Sequence, residues 1–306
     1  MRATNSKSFA SITIFFSAGI WGLFWIPLHY FNDNGLGGVW VVTAINFFGF
    51  LIAAPFVLWK AKITKSNAIW LLAIGSGMGL SNVFYFAGLI LSDVVRVVFL
   101  FYLLPIWATL FSWAFFGVRL GKQRCAALGF AFVGIWLLLG GGSWPIPQNL
   151  GDVFGLFSGM AWALGLVVIR DRPDMDALAV SATTLLSAAS LSFALGIILS
   201  IWAPDIQPPL PDISEFKAIL PYVIAFGVII LWPSMFGQQW GAKYVAATTA
   251  ALLTMSEVVV STISTTLIIG SQLNWISWIG GGLIIFAILI DLFAPDIKKA
   301  QKTGVK

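Results

Sequence analysis

The sequence predicts an all-α integral membrane protein, with ten transmembrane helices forming two inverted five-helix repeats around a central cavity. Three observations carry that expectation. Of 306 residues, 59% are hydrophobic and 9% charged, which leaves too little polar surface to solvate a globule of this size. The apolar residues fall into ten runs, each near the length of about 20 residues that crosses hydrocarbon. The two halves of the chain also align with one another.

In order, the runs lie near 10–30, 37–59, 68–91, 94–117, 125–141, 152–169, 177–203, 217–240, 246–270 and 274–294. The first follows Arg2 and Lys7, as a secretory signal would, but no small-residue cleavage pattern follows it, so it is expected to be retained. An even number of spans puts both termini on one side. With the amino terminus in the cytoplasm, Arg2, Lys7, Lys60, Lys62, Lys65, Arg119, Lys122, Arg124, Arg170, Arg172, Lys243, Lys298, Lys299, Lys302 and Lys306 are all cytoplasmic. Only Arg96 and Lys217 fall outside. Such a bias sets membrane orientation, and a missed or invented span would scramble it. The longest external connection is the proline-rich, acidic "APDIQPPLPDISEFK" between spans seven and eight.

Sliding the chain by 153 positions lays Leu89–Leu120 on Ala242–Leu273, with Gly117 on Gly270 and Leu120 on Leu273. A slide of 141 lays Ser17 and Trp21 on Ser158 and Trp162. The halves are therefore 1–146 (spans one to five) and 147–306 (spans six to ten and a basic cytoplasmic tail). Five spans each means that the second half enters the membrane upside down. That architecture puts the solute site near the bilayer midplane, where the halves meet.

"AGIWGLFWIP" in span one and "LLPIWATLFSWAFFGVRLGKQRCAALGFAFVGIWLLL" across spans four and five resemble the drug/metabolite transporter superfamily. The likeness covers nearly the whole chain, and the wealth of tryptophan looks most like the aromatic amino acid exporters within it. One departure is Val118, where many members carry glutamate in a glycine-glutamate-arginine-leucine turn.

Site residues are sought among groups that hydrocarbon does not tolerate. Pro27 and Pro105 each remove an amide and clash with the carbonyl four residues back, so both should kink their spans. Trp21 and Trp162 occupy matching mid-span positions, where an indole N–H in lipid would lack a partner, and are expected to line the cavity. Trp25 and Trp40 suit an interfacial belt, and His29 the outer boundary. Asn82 and Tyr85 share a face of span three, and the slide sets Tyr85 on Gln238. Tyr102, Pro105, Thr109 and Ser112 form a stripe on span four, and Thr254, Glu257, Ser261 and Thr265 form one on span nine; serines and threonines in such stripes equally well bond back to their own helices. Asn46 suits helix glue, and the small residues of "GSGMG" (75–79) close helix approach.

Glu257 is the acid deepest in a span. It reads either as a proton-coupling group or a dock for an amino group, or as a neutral acid bonded to a neighbouring helix. The substrate-binding set is thus Trp21, Asn82, Tyr85, Tyr102, Trp162, Gln238 and Glu257.

Other functions lack residues. A lone cysteine and a lone histidine give no internal disulfide and no zinc cluster. No cofactor is implied, and the scattered charges of a +5 chain form no nucleic-acid face. Phosphorylated solutes would require buried lysine or arginine, and only Arg96 comes close. Aromatic walls with amide and hydroxyl groups suit a small solute with an apolar side chain and an ammonium group. The expected protein is a bacterial inner-membrane exporter of amino acids, working by alternating access, whose partners are its solute and lipid. The oligomeric state is open, a monomer being sufficient. The alternative is a multidrug or metabolite exporter of the same superfamily, proton-coupled or not. A membrane enzyme fits less well, since a lone histidine near an outer boundary and one buried glutamate are too little for catalysis, and a scramblase would not require the polar level shared by both halves.

Overall fold

Backbone polar groups in hydrocarbon are satisfied within helices, and the elements of the computed structural model are helical throughout, with no strand among the described residues. Those are 2–61, 63, 65–140, 146–270 and 274–294. The expected end of span five at 141, Leu273 and the basic tail lie outside them.

The first span is α1 (Arg2–Trp21) followed by α2 (Trp25–Asp33). Then come α3 (Val39–Lys60), α4 (Lys65–Leu91), the broken pair α5 (Val94–Phe101) and α6 (Leu104–Phe116), and α7 (Lys122–Leu138). The second half contains α8 (Leu150–Asp171), α9 (Ala177–Trp202), α10 (Ile213–Ala225), a π-helical turn Phe226–Leu231 and α11 (Trp232–Ala242). It ends with the broken pair α12 (Ala247–Thr254) and α13 (Ser256–Ile269), then α14 (Trp275–Leu292). Nine helical segments among the described residues are long and apolar enough to cross a membrane. The expected fifth span is α7, whose 17 residues fall just short of that set.

Packing joins the halves more than it joins neighbours within a half. α4 lies along α8 and α9, α3 along α9, α7 along α14, and α1 along α11, α12 and α13. Small residues permit these approaches: a Cβ on Gly75 would stand 2.2 Å from the Thr183 hydroxyl oxygen across the α4–α9 contact. Polar glue is local. Ser81 and Ser158 exchange hydrogen bonds of 2.8 Å with one another's carbonyls between α4 and α8, and Thr109 meets Thr248 at 3.0 Å between α6 and α12. Asn46 donates back to the Val42 carbonyl at 2.8 Å in its own helix. Large apolar side chains such as Phe9, Leu58, Ile229 and Leu267 stay exposed on the outer surface, as lipid-facing groups do.

The two broken pairs share one layout. α5 and α12 begin at Val94 and Ala247, and the breaks follow Phe101 and Thr254. Both α6 and α13 end on a glycine in the left-handed region, Gly117 (φ 64°) and Gly270 (φ 76°), where a side chain would be strained. Each of these correspondences has the same 153-residue offset as the sequence alignment.

Trp40 departs from the expected belt. It is 3% exposed and donates its indole N–H to the Pro208 carbonyl at 2.8 Å, under the loop that follows α9. That carbonyl satisfies the polar edge that would otherwise seek the water interface.

Candidate functional site

The first span changes helix where Gly22, Leu23 and Phe24 each donate three residues back, to Gly19, Ile20 and Trp21, at 3.0 Å. Pro27 is the reason the span does not resume sooner, because its missing N–H interrupts the ladder. The Leu23 carbonyl freed by Pro27 accepts from the Ile26 amide at 3.1 Å, so the backbone closes that gap itself. Pro105 similarly stands in the first turn of α6, after the break at Tyr102 and Leu103. The proline kinks predicted in spans one and four are thus full helix breaks. Span nine breaks at Met255 with no proline nearby.

These breaks surround a small cavity of about 40 Å³, roughly the space of one or two waters. Trp21 closes it from α1, Asn82 and Tyr85 from α4, Trp162 from α8, Gln238 from α11 and Glu257 from α13. Six of the seven residues expected from the sequence therefore share one cavity. The seventh, Tyr102, does not line it; its hydroxyl faces the Glu257 carboxyl without a hydrogen bond of good geometry. Ser81, Phe101 and Thr254 complete the wall. Of these, Thr254 was visible as part of the span-nine stripe. Ser81 and Phe101 carried no signal beyond lying next to Asn82 and Tyr102.

The donors in this site are unusually unsatisfied. The indole nitrogens of Trp21 and Trp162 are buried without a partner, each an energetic cost in a low-dielectric interior, and the Tyr102 hydroxyl has only the Glu257 carboxyl before it. Trp21 stacks on Phe24 at 4.3 Å with 7° between ring planes, and Tyr85 leans on Phe101 at 4.8 Å. Glu257 is partly accessible to the cavity, and no described ion pair involves it. Close packing holds it in place: a Cβ on Gly22 would come within 2.4 Å of the Glu257 carbonyl oxygen, so only glycine lets the break in span one lie against α13.

The sequence profile of the EamA-like transporter family matches the chain twice, over residues 8–140 and 149–292. The chain belongs to this family. It is a multi-pass membrane transporter within the drug/metabolite transporter superfamily, and members of the EamA-like family are transporters and not enzymes. No curated protein matches it. A solved structure titled only "Crystal structure of protein" superposes with a TM-score of 0.71 over 93% of this chain and 98% of its own. At 20% identity that is a likeness of fold alone.

In this EamA-like transporter a second, larger cavity of about 1000 Å³ opens at the end that carries Lys7 and Arg170. Phe15, Thr109, Leu253 and Asp291 contribute to its wall. Only a thin layer divides this vestibule from the inner cavity, since Leu253 faces one and Thr254 the other. The Ser256 hydroxyl donates to the Phe15 carbonyl at 2.8 Å in that layer. Beside the vestibule Lys243 donates to the Met175 carbonyl at 2.7 Å; burial lowers its pKa, against the opposing pull of Asp176 and Asp174.

Arg124 and Asp291 form an ion pair at 3.1 Å in the vestibule wall, with 6% and 1% of their side chains exposed. The sequence had suggested only a cytoplasmic loop charge for Arg124.

At the opposite end, contacts join the two halves. Arg96 pairs with Asp152 of α8 at 3.2 Å and donates to Gln148 at 2.8 Å, while Asp93 caps α5 through the Arg96 amide. Gln207 accepts from the Val39 amide at 3.1 Å, and Phe226 packs edge-on against Phe24 at 4.7 Å. His29 is exposed and bonded to the Trp25 carbonyl at 2.9 Å, and Trp25 donates to Ser264 at 3.0 Å, tying span one to α13.

Proposed function

We propose that this protein exports amino acids, aromatic ones included, across a bacterial inner membrane by alternating access at the Trp21–Trp162–Glu257 cavity. The carrying observation is the mismatch at that cavity: the orphaned buried indole N–H groups of Trp21 and Trp162 on its wall beside a carboxylate that no ion pair among the described residues involves. A zwitterion answers both. Its carboxylate accepts from the indole donors, its ammonium pairs with Glu257, and its apolar side chain meets the rings of Phe101, Tyr85 and the tryptophans at roughly 0.5–2 kcal/mol per cation–π or ring contact. A cationic drug without a carboxylate would leave the donors unsatisfied. The tryptophan-rich sequence is similar in this respect to the aromatic amino acid exporter YddG.

Ten spans in two inverted halves suit the packing. The contacts α4–α8 and α1–α11 exchange under a two-fold relation between halves, as do α5/α6–α8 and α12/α13–α1, while α3–α9 and α7–α14 map onto themselves. The double match to one family profile and the shared layout of the broken spans favour the same reading. α7, at 17 residues, rises about 26 Å, and a mismatch of a few Å is tolerated by local thinning. With the amino terminus cytoplasmic, the vestibule is the inward mouth and the Arg96–Asp152 end the closed outer one. Rocking the halves would reverse the two.

Purified protein in liposomes tests the assignment. Counterflow of labelled phenylalanine, with little uptake of tetraphenylphosphonium, is expected; transport of the drug cation and of no amino acid would favour the multidrug alternative.

A further inference from the structure

Three helix breaks converge on one carboxylate. Span one breaks at Gly22–Phe24 and lies directly on the Glu257 backbone. Span nine breaks at Met255, two residues before Glu257. Span four breaks at Tyr102–Leu103, and the Tyr102 hydroxyl faces the Glu257 side chain. These spans line both the inner cavity and, through Phe15, Thr109 and Leu253, the vestibule. A group at this point touches the hinges that any opening or closing of the cavity must use.

We propose that Glu257 exchanges a proton for the ammonium group of the solute, so that one proton enters for each amino acid that leaves. This inference rests on the amino acid reading above and adds its coupling.

The physical basis is the cost of a bare charge. When the cavity shuts at both ends, an ionised Glu257 with no partner is strongly disfavoured in a dehydrated site, whereas a protonated carboxyl or a carboxylate–ammonium pair is not. The carrier therefore crosses either protonated or loaded, but not empty and charged. Facing the cytoplasm, the carboxyl gives its proton to water as the zwitterion docks. Facing the more acidic outside, it takes a proton from water and releases the zwitterion.

The titratable groups that face it are Tyr85 from α4 and Tyr102 from the span-four break. Of the other elements packed on α13, α1 carries Lys7 in the vestibule wall, α12 has no ionisable side chain, and α14 has Asp291, which is paired with Arg124. The hinges respond because protonation removes the charge against which the ends of α1 and α5 are set.

Proteoliposomes with an acidic lumen and the electrical potential clamped at zero provide the test. With one proton exchanged per solute, a gradient of one pH unit should concentrate labelled phenylalanine up to about tenfold in the lumen, whichever way the protein is inserted. Nigericin should abolish the accumulation. Glu257→Gln should accumulate none with or without the gradient, and Glu257→Asp should recover gradient-driven uptake. Phenylalanine counterflow by the wild type that ignores the gradient, or gradient-driven uptake by Glu257→Gln, would overturn the proposal while leaving the amino acid reading intact.

A ligand-free measurement separates the two ideas if no counterflow is seen. Glu257→Gln mimics the protonated state, so wild-type hydrogen exchange in the segments 20–27, 100–106 and 253–258, corrected for its intrinsic pH dependence, should change at least threefold between a pH that protonates Glu257 and one that ionises it, and the variant should show no such change. Identical wild-type exchange at the two pH values in all three segments would overturn the hinge coupling, whatever the solute.

Discussion

The indole nitrogens of Trp21 and Trp162 belong to opposite halves of the chain, border one cavity, and are both buried without a hydrogen-bond partner. Trp40 and Trp25 have acceptors in the Pro208 carbonyl and the Ser264 hydroxyl, and Trp107, whose indole N–H is also buried without one, borders neither cavity. On the amino acid reading proposed above, the solute supplies the acceptor to this pair.

Replacing Trp162 by phenylalanine keeps the ring and deletes the donor. The expected loss is that of one hydrogen bond to a charged group, about 1.5–3 kcal/mol, read as a rise of roughly tenfold or more in the KM for phenylalanine counterflow. Trp162→Ala should lose the stacking as well and fall further, at unchanged expression and elution volume. Equal KM in wild type and the phenylalanine variant would remove this indole from the site.

The Arg124–Asp291 pair is a stability prediction. Asp291→Asn leaves a guanidinium 95% buried and uncompensated, at a cost of about 3–5 kcal/mol. Arg124→Leu combined with Asp291→Leu should restore most of it, because removing both charges removes the desolvation cost. Heat denaturation of the two variants in detergent checks the order: single far below wild type, double close to it.

Gly22→Ala puts a methyl group 2.4 Å from the Glu257 carbonyl oxygen. Backbone on both sides leaves little room to yield, and overpacking of this kind costs about 1–3 kcal/mol. Transport should drop severalfold as the break in span one is pushed off α13; Gly282→Ala, whose added carbon meets nothing within 4 Å, is the control that should behave as wild type.

The single cysteine, Cys125, is exposed near the start of α7. With the amino terminus cytoplasmic, a membrane-impermeant maleimide should label it in inverted vesicles and not in intact cells. The opposite pattern would reverse the orientation.

Most of the inner cavity's lining was legible because hydrocarbon makes polar residues conspicuous. Asn82, Gln238 and Glu257 have no reason to be mid-span unless they face something polar, and Trp162 was marked by the offset that pairs it with Trp21. What sequence concealed was long-range pairing. Arg124 and Asp291 stand at span ends, where charges ordinarily meet water, so nothing local revealed that each is buried against the other. The break at Met255 was hidden for a different reason: no proline or glycine accompanies it, and only its correspondence with Tyr102 across the 153-residue slide points to it. Trp40 was misread as a belt residue because its acceptor, the Pro208 carbonyl, comes from a loop 168 positions away.

The central claim is that the solute binds between the halves at the indole-walled cavity. Heat denaturation of the purified protein with and without phenylalanine measures this most directly, since a ligand at about 100 times its Kd stabilises the folded state by about 2.7 kcal/mol. The wild type should be stabilised in proportion to the logarithm of phenylalanine concentration, and Trp162→Ala and Glu257→Gln should lose that response, each measured against its own ligand-free transition, which for Trp162→Ala lies lower because a buried ring is removed. Stabilisation that persists undiminished in both variants would contradict the account.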